Sequence, residues 1–341
     1  MNKKIKIKLF VLALSLGIIS STTTNTFAEE NSNKDRIYGN DRIQTSIEIS
    51  KKGWKEGADS VVIAAAYDFA DALSAAPLAK KYNAPIILNG KSELSTNTIN
   101  EIKRLNPKNI FILGGEGVIP GKVENQLKEL KVENIERIFG ENRYETSLKV
   151  AEKLGKVEKV FITNGETYAD ALSVSSIAAE MECPILYTKK DELKEKVKDY
   201  INNNDIKNTY FIGGQGVLSN SVVNEVKNSK RIYGDNRYLT NSEVLKNFKD
   251  ELKFDNVYFV TGNNFADALA VAPLSSKEKS PVILTNKNVD KEIENLINEN
   301  ITGETKLIAI GGEKVVPESI LDNFISDFDV IEIALKSINL I

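Results

Sequence analysis

The sequence contains no histidine among its 341 residues, and this absence excludes several classes of enzyme. Ser-His-Asp and Cys-His hydrolases and HExxH zinc enzymes all need an imidazole that the chain does not have. Cys183 is the only cysteine, so no intrachain disulfide can form. We therefore predict a protein without catalytic residues, cofactor or metal, although an enzyme that uses only carboxylates or lysine stays formally open.

Arginine is also scarce, since only seven of the 45 basic residues are arginines. Six of the seven fall in one repeated motif, two in each copy, and only Arg104 lies outside it. A planar guanidinium binds a carboxylate or a phosphate through two parallel hydrogen bonds, which lysine cannot do. The motif positions therefore demand arginine itself, and they are Arg36 and Arg42, Arg137 and Arg143, and Arg231 and Arg237.

Beyond its N-terminus the sequence has no apolar run long enough to cross a bilayer. The N-terminus joins a lysine-rich start, an apolar run from Leu9 to Ile19 and a small-x-small site ending at Ala28. This pattern is typical of a secretory signal peptide, so we expect residues 1–28 to be removed and residues 29–35 to form a short leader. The C-terminus lacks the pattern of a covalently sorted surface protein, so we expect that anything holding the exported chain at a surface is non-covalent.

Processing makes the chain acidic. Removal of residues 1–28 takes away four lysines and no acid, which leaves 41 basic and 48 acidic residues and a net charge of −7. An acidic chain is a poor general ligand for nucleic acid, so we predict no nucleic-acid partner. Affinity for a polyanion would have to come from a local cluster of basic residues.

Four motifs occur three times each in the same order, which identifies an internal repeat of about 100 residues. The segments that introduce the repeats are "RIYGNDRIQTS" from 36, "RIFGENRYETS" from 137 and "RIYGDNRYLTN" from 231. These starts divide the chain into repeats at 36–136, 137–230 and 231–336, with a tail at 337–341. The last copy resembles a degenerate terminal repeat, because "FDVIEIALK" at 328–336 occupies the place of "VENIERIFG" at 132–140.

Each repeat alternates apolar strands with amphipathic helices, which predicts crossover connections and a mostly parallel sheet. In the first repeat we predict strands at 60–66, 85–88, 109–113 and 135–140, and helices at 42–52, 70–82 and 95–105. The strands are continuous apolar runs, which suits sheets covered on both faces. The predicted fold is α/β, with three tandem modules packed around a pseudo-threefold axis.

The second motif, "DFADALSAAPLA" in its first copy, places an aspartate at the start of an apolar helix in every repeat. The third motif is a double glycine that follows a strand, which indicates a tight strand-to-helix turn. Two interpretations of the arginines stay open: they pair with these aspartates across a module boundary, or they line a groove for an anionic polymer. The structural motif residues are Asp71, Asp170, Asp267, Gly114, Gly115, Gly213, Gly214, Gly311 and Gly312.

The four motifs, repeated three times behind a signal peptide, closely resemble the clostridial-type cell wall-binding repeat, type 2. The resemblance covers roughly residues 36–330, and it implies Rossmann- or Toprim-like modules that bind anionic secondary polymers of a Gram-positive wall. It also implies that the fourth motif, a Pro-Ile-Leu-Leu-type segment, takes part in polymer binding, and Tyr187 departs most from that pattern. The corresponding residues are Pro85, Ile86, Ile87 and Leu88; Pro184, Ile185, Leu186 and Tyr187; and Pro281, Val282, Ile283 and Leu284.

We therefore predict a secreted, non-catalytic wall-binding protein whose partner is an anionic wall polysaccharide or a teichoic-acid-like polymer. The resemblance implies an anchor, and we expect the sequence to leave no room for an effector domain. Other surface proteins are further candidate partners. Two alternatives stay open: a structural or adhesive component of a surface array, and an accessory to a wall hydrolase or a hydrolase itself.

Overall fold

The computed structural model describes residues 33–286 and 289–324. The predicted signal peptide and the segment at 328–336 lie outside the described residues. Within the described part of the chain, the strands are β1 (Lys34–Ile37), β2 (Ser60–Ala65), β3 (Ile86–Asn89), β4 (Asn109–Leu113), β5 (Asn134–Ile138), β6 (Lys159–Asn164), β7 (Ile185–Thr188), β8 (Asn208–Ile212), β9 (Ser229–Ile232), β10 (Asn256–Thr261), β11 (Val282–Thr285) and β12 (Lys306–Ile310).

Five of the helices between these strands begin at a side chain that caps the helix N-terminus. Asp41 accepts a hydrogen bond from the Gln44 amide at 2.8 Å, and Asn142 and Asn236 cap the equivalent helices of the next repeats. The α-helices are Arg42–Gly53, Ala75–Lys81, Thr96–Leu105, Gly121–Glu129, Arg143–Leu154, Ala169–Glu180, Glu195–Asn203, Asn220–Asn224, Arg237–Asn247, Ala266–Glu278 and Lys291–Asn298, and 3-10 turns occupy Ala72–Ser74 and Lys249–Glu251.

The strands form three four-stranded sheets with one strand order. The first sheet runs β3-β2-β4-β5, the second β7-β6-β8-β9, and the third β11-β10-β12-β1. Every strand pair in these sheets is parallel. The α/β class and the three parallel modules predicted from the sequence are confirmed.

The strand that opens each sequence repeat belongs to the sheet of the preceding repeat. β5 pairs with β4, and β9 pairs with β8. β1, the first described strand, pairs with β12, the last described strand, with Arg36 opposite Ala309. The chain therefore closes on itself, and the place beside β12 that the sequence comparison gave to residues 328–336 is taken by β1.

Three helices lie at the centre of the molecule and hold the modules together. These central helices are Ala75–Lys81, Ala169–Glu180 and Ala266–Glu278, and each contacts the other two. Ala76, Ala179 and Ala272 meet in one cluster with no exposed surface. Small side chains let the helix backbones approach closely, which is why the "ADAL" helices are rich in alanine and serine.

Candidate functional site

The loops that lead from β2, β6 and β10 into the central helices converge at one end of the pseudo-threefold axis. Each loop contributes one aromatic ring from the position two residues before the motif aspartate. Phe69 lies 5.7 Å from Tyr168 and 6.2 Å from Phe265 between ring centroids, and Tyr168 lies 6.3 Å from Phe265. These three rings, the axial aromatic triad, mark the carboxyl-end face of the molecule, where ligands of parallel α/β sheets bind.

The second arginine of each repeat lies over one ring of the triad. The Arg143 guanidinium is 5.4 Å from the Phe69 centroid, and the Arg237 guanidinium is 5.2 Å from the Tyr168 centroid. The Arg42 guanidinium is 6.0 Å from the Phe265 centroid, and it also lies 4.9 Å from the Tyr67 centroid. Each arginine thus reaches a ring of the preceding repeat, and the first repeat follows the third. Cation–π contact holds the guanidinium planes in place.

One backbone carbonyl anchors each of these three arginines. Nη1 of Arg42 donates to the Ala66 carbonyl at 2.8 Å, and Nη1 of Arg143 donates to the Gly165 carbonyl at 2.7 Å. Nη1 of Arg237 donates to Gly262 and to the Tyr168 hydroxyl. Among residues 33–286 and 289–324, no hydrogen bond is found from the Nε or Nη2 atoms of these arginines, so donors remain for a ligand.

The first arginine of each repeat has a different task. Nη1 of Arg137 donates to the carbonyls of Gly114 and Ile119 at 2.9 Å each, and its side chain is only 10% exposed. Arg36 makes the equivalent bonds to Gly311 and Val316. Arg231 binds the Gly213 carbonyl in the same way. These arginines fix the double-glycine turn of the preceding repeat, because they satisfy carbonyls that the turn leaves without a partner.

The motif aspartates lie beside the double-glycine turns, where Asp71 and Asp170 are buried and Asp267 is partly buried. A methyl group on Gly213 would lie 2.7 Å from Oδ2 of Asp170, and the same carboxylate position recurs beside Gly114 and Gly311. All three glycines have positive φ, with values of 111° at Gly114, 124° at Gly213 and 103° at Gly311. The turn needs glycine for its backbone and for the space that the carboxylate fills.

Burial changes the protonation of these carboxyl groups. It raises the pKa of Asp170 and of Asp267 to about 6, and the nearby charges of Arg237 and Arg42 lower each pKa only in part. Burial also raises the pKa of Asp71, opposed by a hydrogen bond from Thr146 and by the charge of Arg143.

The aspartates and the second arginines approach one another across the module boundaries without forming direct ion pairs. The charge of the arginine in the following repeat lowers the pKa of each aspartate, and for Asp267 that arginine is Arg42 of the first repeat. The salt bridges found among the described residues do not include any of these three pairs. The arginines are therefore electrostatic neighbours of the aspartates, and they do not bind them through two parallel hydrogen bonds as the pairing interpretation would require.

The Pro-Ile-Leu-Leu-type segments lie in the core. Their strands β3, β7 and β11 form the edge of each sheet, yet all of their residues are buried. The amide of Leu88 donates to Oγ of Ser46, and the amides of Tyr187 and Leu284 donate to Ser147 and Asn241. A polar side chain of the arginine-bearing helix thus covers each strand edge, which explains why the two motifs occur together.

Comparison with known proteins agrees with this architecture. Residues 36–124, 137–223 and 231–321 match the family described as Cell wall binding domain 2 (CWB2). The chain belongs to this cell wall-binding family. Its three CWB2 repeats account for the threefold recurrence of the motifs, and the resemblance recognised in the sequence is confirmed.

Two solved structures share the fold of the CWB2 repeats. Cwp6 from Clostridium difficile has a TM-score of 0.80 and 30% identity over 93% of this chain and 53% of its own. Cwp8 from the same organism has a TM-score of 0.78 and 26% identity over 96% of this chain and 56% of its own.

Two relatives from Bacillus subtilis (strain 168) match most of the chain. The N-acetylmuramoyl-L-alanine amidase LytC is 36% identical over 251 residues, which cover 74% of this chain and 50% of the amidase. The amidase enhancer is 34% identical over 258 residues, which cover 74% of this chain and 35% of the enhancer. The chain therefore spans half or less of the length of these relatives. Over residues 33–286 and 289–324, no helix combines the length and apolarity that a membrane crossing requires.

The sequence motifs contain the arginines and aspartates that the structure brings to this face, but no role was predicted for its aromatic residues. Phe69, Tyr168 and Phe265 were part of the "ADAL" motif without an assigned role. Their repetition two residues before an aspartate is the signal in the sequence that points to them.

Proposed function

We propose that the protein is exported and held non-covalently at the surface of a Gram-positive cell by an anionic polymer of the wall. The observation that carries this proposal is the ring of second arginines, Arg42, Arg143 and Arg237, on one face of the molecule. Each is anchored through Nη1 to a backbone carbonyl, lies over an aromatic ring and keeps guanidinium donors for a phosphate or carboxylate. The proposed binding module is non-catalytic.

In our proposal the remaining predicted site residues support this face and do not contact the polymer. Arg36, Arg137 and Arg231 hold the glycine turns that border it. The buried Pro-Ile-Leu-Leu-type strands position the arginine-bearing helices through their edge hydrogen bonds. We therefore place polymer contact on the second arginines and the surrounding loops, and support for it on the buried strands.

Co-sedimentation of residues 29–341 with cell walls tests the proposal. We expect binding to native walls, little binding to walls stripped of anionic polymer, and weaker binding as salt rises, since exposed ionic contacts are screened. Equal binding to both kinds of wall would indicate that the ligand is peptidoglycan and not the anionic polymer. Binding to neither would contradict wall anchoring and favour self-assembly in a surface array.

A matched pair of variants tests the role of the arginines. Arg143→Gln removes a charge at the face, and Lys149→Gln removes the same charge from an exposed position of the same helix. We expect Arg143→Gln to weaken native-wall binding by roughly ten- to a hundredfold, because a charge-assisted hydrogen bond contributes about 1.5–3 kcal/mol. Lys149→Gln should leave binding unchanged. Equal losses of wall binding in both variants would show that net charge, and not the position of Arg143, determines the effect.

A second candidate is an accessory role beside a wall hydrolase. It is favoured by the similarity to a protein named amidase enhancer and to an amidase, each matched over part of its length. If this role holds, adding the chain to an amidase and purified walls will change the rate at which the turbidity of the wall suspension falls. An unchanged rate at saturating wall binding would contradict the accessory role.

A further inference from the structure

Three aromatic side chains are exposed on the carboxyl-end face at one equivalent position of the repeats. Tyr38 is 54% exposed, Phe139 is 51% exposed and Tyr233 is 51% exposed. Each follows the last residue of β1, β5 or β9 and occupies the third position of the "RIYG" motif. Among the described residues only two other large apolar side chains, Tyr67 and Val315, are comparably exposed. Burial of such large rings would stabilise the fold, so their exposure at the same position in all three repeats indicates a role in binding.

A glycine turn supports each of these rings. A methyl group on Gly214 would lie 3.3 Å from Cδ2 of Tyr233, and one on Gly115 would lie 3.5 Å from Cδ2 of Phe139. The corresponding distance from Gly312 to Tyr38 is 3.9 Å. The second glycine of each double-glycine motif thus leaves room for the ring to rest against the turn, while half of the ring surface faces solvent. The ring is held in place without being buried.

The shared chemistry of the position is the aromatic ring and not a hydroxyl group, since the second repeat has phenylalanine. The residue two positions later is an exposed polar side chain in every repeat: Asn40, Glu141 and Asp235. Carboxylates and amides accept hydrogen bonds from hydroxyl groups, whereas two of these three repel phosphate. An aromatic face beside such acceptors suits an uncharged ring that carries hydroxyl groups and an apolar C–H face.

We propose that Tyr38, Phe139 and Tyr233 are three stacking platforms for uncharged pyranose rings of wall glycan. This inference rests on the proposed function, and it divides recognition between two groups of residues. The second arginines bind the anionic groups of the polymer, and the platforms bind its sugar rings. Three weak platforms on one face act together on a repetitive ligand, because the second and third contacts are intramolecular.

The division predicts different responses to salt. Arginine contacts weaken as ionic strength rises, whereas stacking of a ring on an uncharged sugar does not. Wild-type chain should therefore retain a salt-resistant part of its wall binding. Tyr38→Ala, Phe139→Ala and Tyr233→Ala together should abolish that part, with losses of about three- to tenfold for each single change. Melting temperatures should stay close to the wild type, because the rings are half exposed.

Two further variants separate recognition from simple loss of apolar surface. Val315→Ala shortens an exposed apolar side chain that is not aromatic, and we expect it to bind walls like the wild type. Phe139→Trp keeps an aromatic platform and should retain binding. The introduced indole is distinguishable from Trp54, which is 3% exposed, by its red-shifted emission and its quenching by iodide. We expect this emission to shift to shorter wavelength, and quenching to fall, when glycan is added.

The experiment uses two glycan probes and intact walls. The probes are polysaccharide released from native walls by mild acid and soluble glycan strands of peptidoglycan. A shift with either probe supports the platforms and identifies the source of the sugar. Unchanged salt-resistant binding in the triple alanine variant would overturn the platforms and leave wall anchoring intact. An emission shift without sedimentation on walls would overturn anchoring alone, and no shift with either probe would overturn the platforms.

Discussion

At the scale of single residues, the motif aspartates make the stability of the fold depend on pH. The folded-state pKa of Asp170 and of Asp267 is raised to about 6 from an ordinary value of 3.8, chiefly by burial. A carboxyl group whose pKa is higher in the folded state binds its proton more tightly there than in the unfolded chain. Its contribution to stability is therefore full below the ordinary pKa and is lost as pH rises to about 6.

We expect the melting temperature to be higher at about pH 5 than at about pH 7.5, as the linkage relation requires. Asp170→Asn combined with Asp267→Asn should flatten this dependence, because a neutral amide removes the unfavourable buried charge. Between about pH 5 and about pH 7.5, each aspartate should change the free energy of unfolding by about 1.4 kcal/mol. Thermal denaturation of both proteins across this range is the measurement, and a wild-type curve that rises steadily with pH would contradict the prediction.

The glycines of one turn offer a second prediction at this scale. Gly213 has φ of 124°, and a methyl group there would lie 2.6 Å from Cγ2 of Val217. Gly216, three residues later, has nothing within 4 Å of the same methyl position. Gly213→Ala should lower the free energy of unfolding by about 2–3 kcal/mol, and Gly216→Ala by less than about 1 kcal/mol. Urea denaturation of the two variants compares them, and equal stability would contradict the steric argument.

At the scale of secondary-structure elements, the central helices limit the size of the side chains at the axis. Ala272 has no exposed surface and meets Ala76 and Ala179. Ala272→Leu should lower the free energy of unfolding by about 1–3 kcal/mol, because the packed helices cannot admit the added volume without moving apart. Differential scanning calorimetry provides the measurement.

Ala272→Ser is the matched control for this variant. The second repeat already has Ser175 at the equivalent position, where its hydroxyl donates to the Leu172 carbonyl at 3.0 Å. A serine at 272 can make the same bond within its own helix, so we expect it to melt close to the wild type. Similar losses in both variants would show that volume is not the limiting factor.

The elements of the first repeat were largely predictable from the sequence. Apolar runs located β2 at 60–65 and β4 at 109–113, and cap residues located the helix that begins at Thr96. The central helix was predicted over 70–82, whereas the structure begins with a 3-10 turn at Ala72 and becomes α-helical at Ala75. Local patterns determine such elements because each strand or helix is specified by its own residues.

At the scale of the whole molecule, closure of the fold couples the first and the last of the described strands. β1 supplies the fourth strand of the third sheet, and Ile37 is 6% exposed at the end of that strand. Ile37→Asn should therefore destabilise the third module, although residue 37 lies at the start of the first sequence repeat. Hydrogen exchange should accelerate in β12, by about the factor of ten that a loss of 1.4 kcal/mol produces.

Mass-spectrometric hydrogen exchange on peptides from β12 and from β4 tests this coupling. The β4 peptide is the internal reference, because its own fourth strand is β5 and not β1. Faster exchange in β4 with β12 unchanged would contradict the coupling of β1 to β12.

The sequence by itself determined the repeat, the α/β class, the parallel strands and the residues that recur, because these follow from local pattern and from the order of motifs. It could not decide which sheet each "RIYG" strand joins, since pairing depends on neighbours that are distant in the chain. It could not separate Arg137, which binds a turn, from Arg143, which lies on the open face, since both share one motif. Only the tertiary structure placed the Pro-Ile-Leu-Leu-type strands in the core and left Tyr38, Phe139 and Tyr233 exposed, because burial is decided by how the three modules pack.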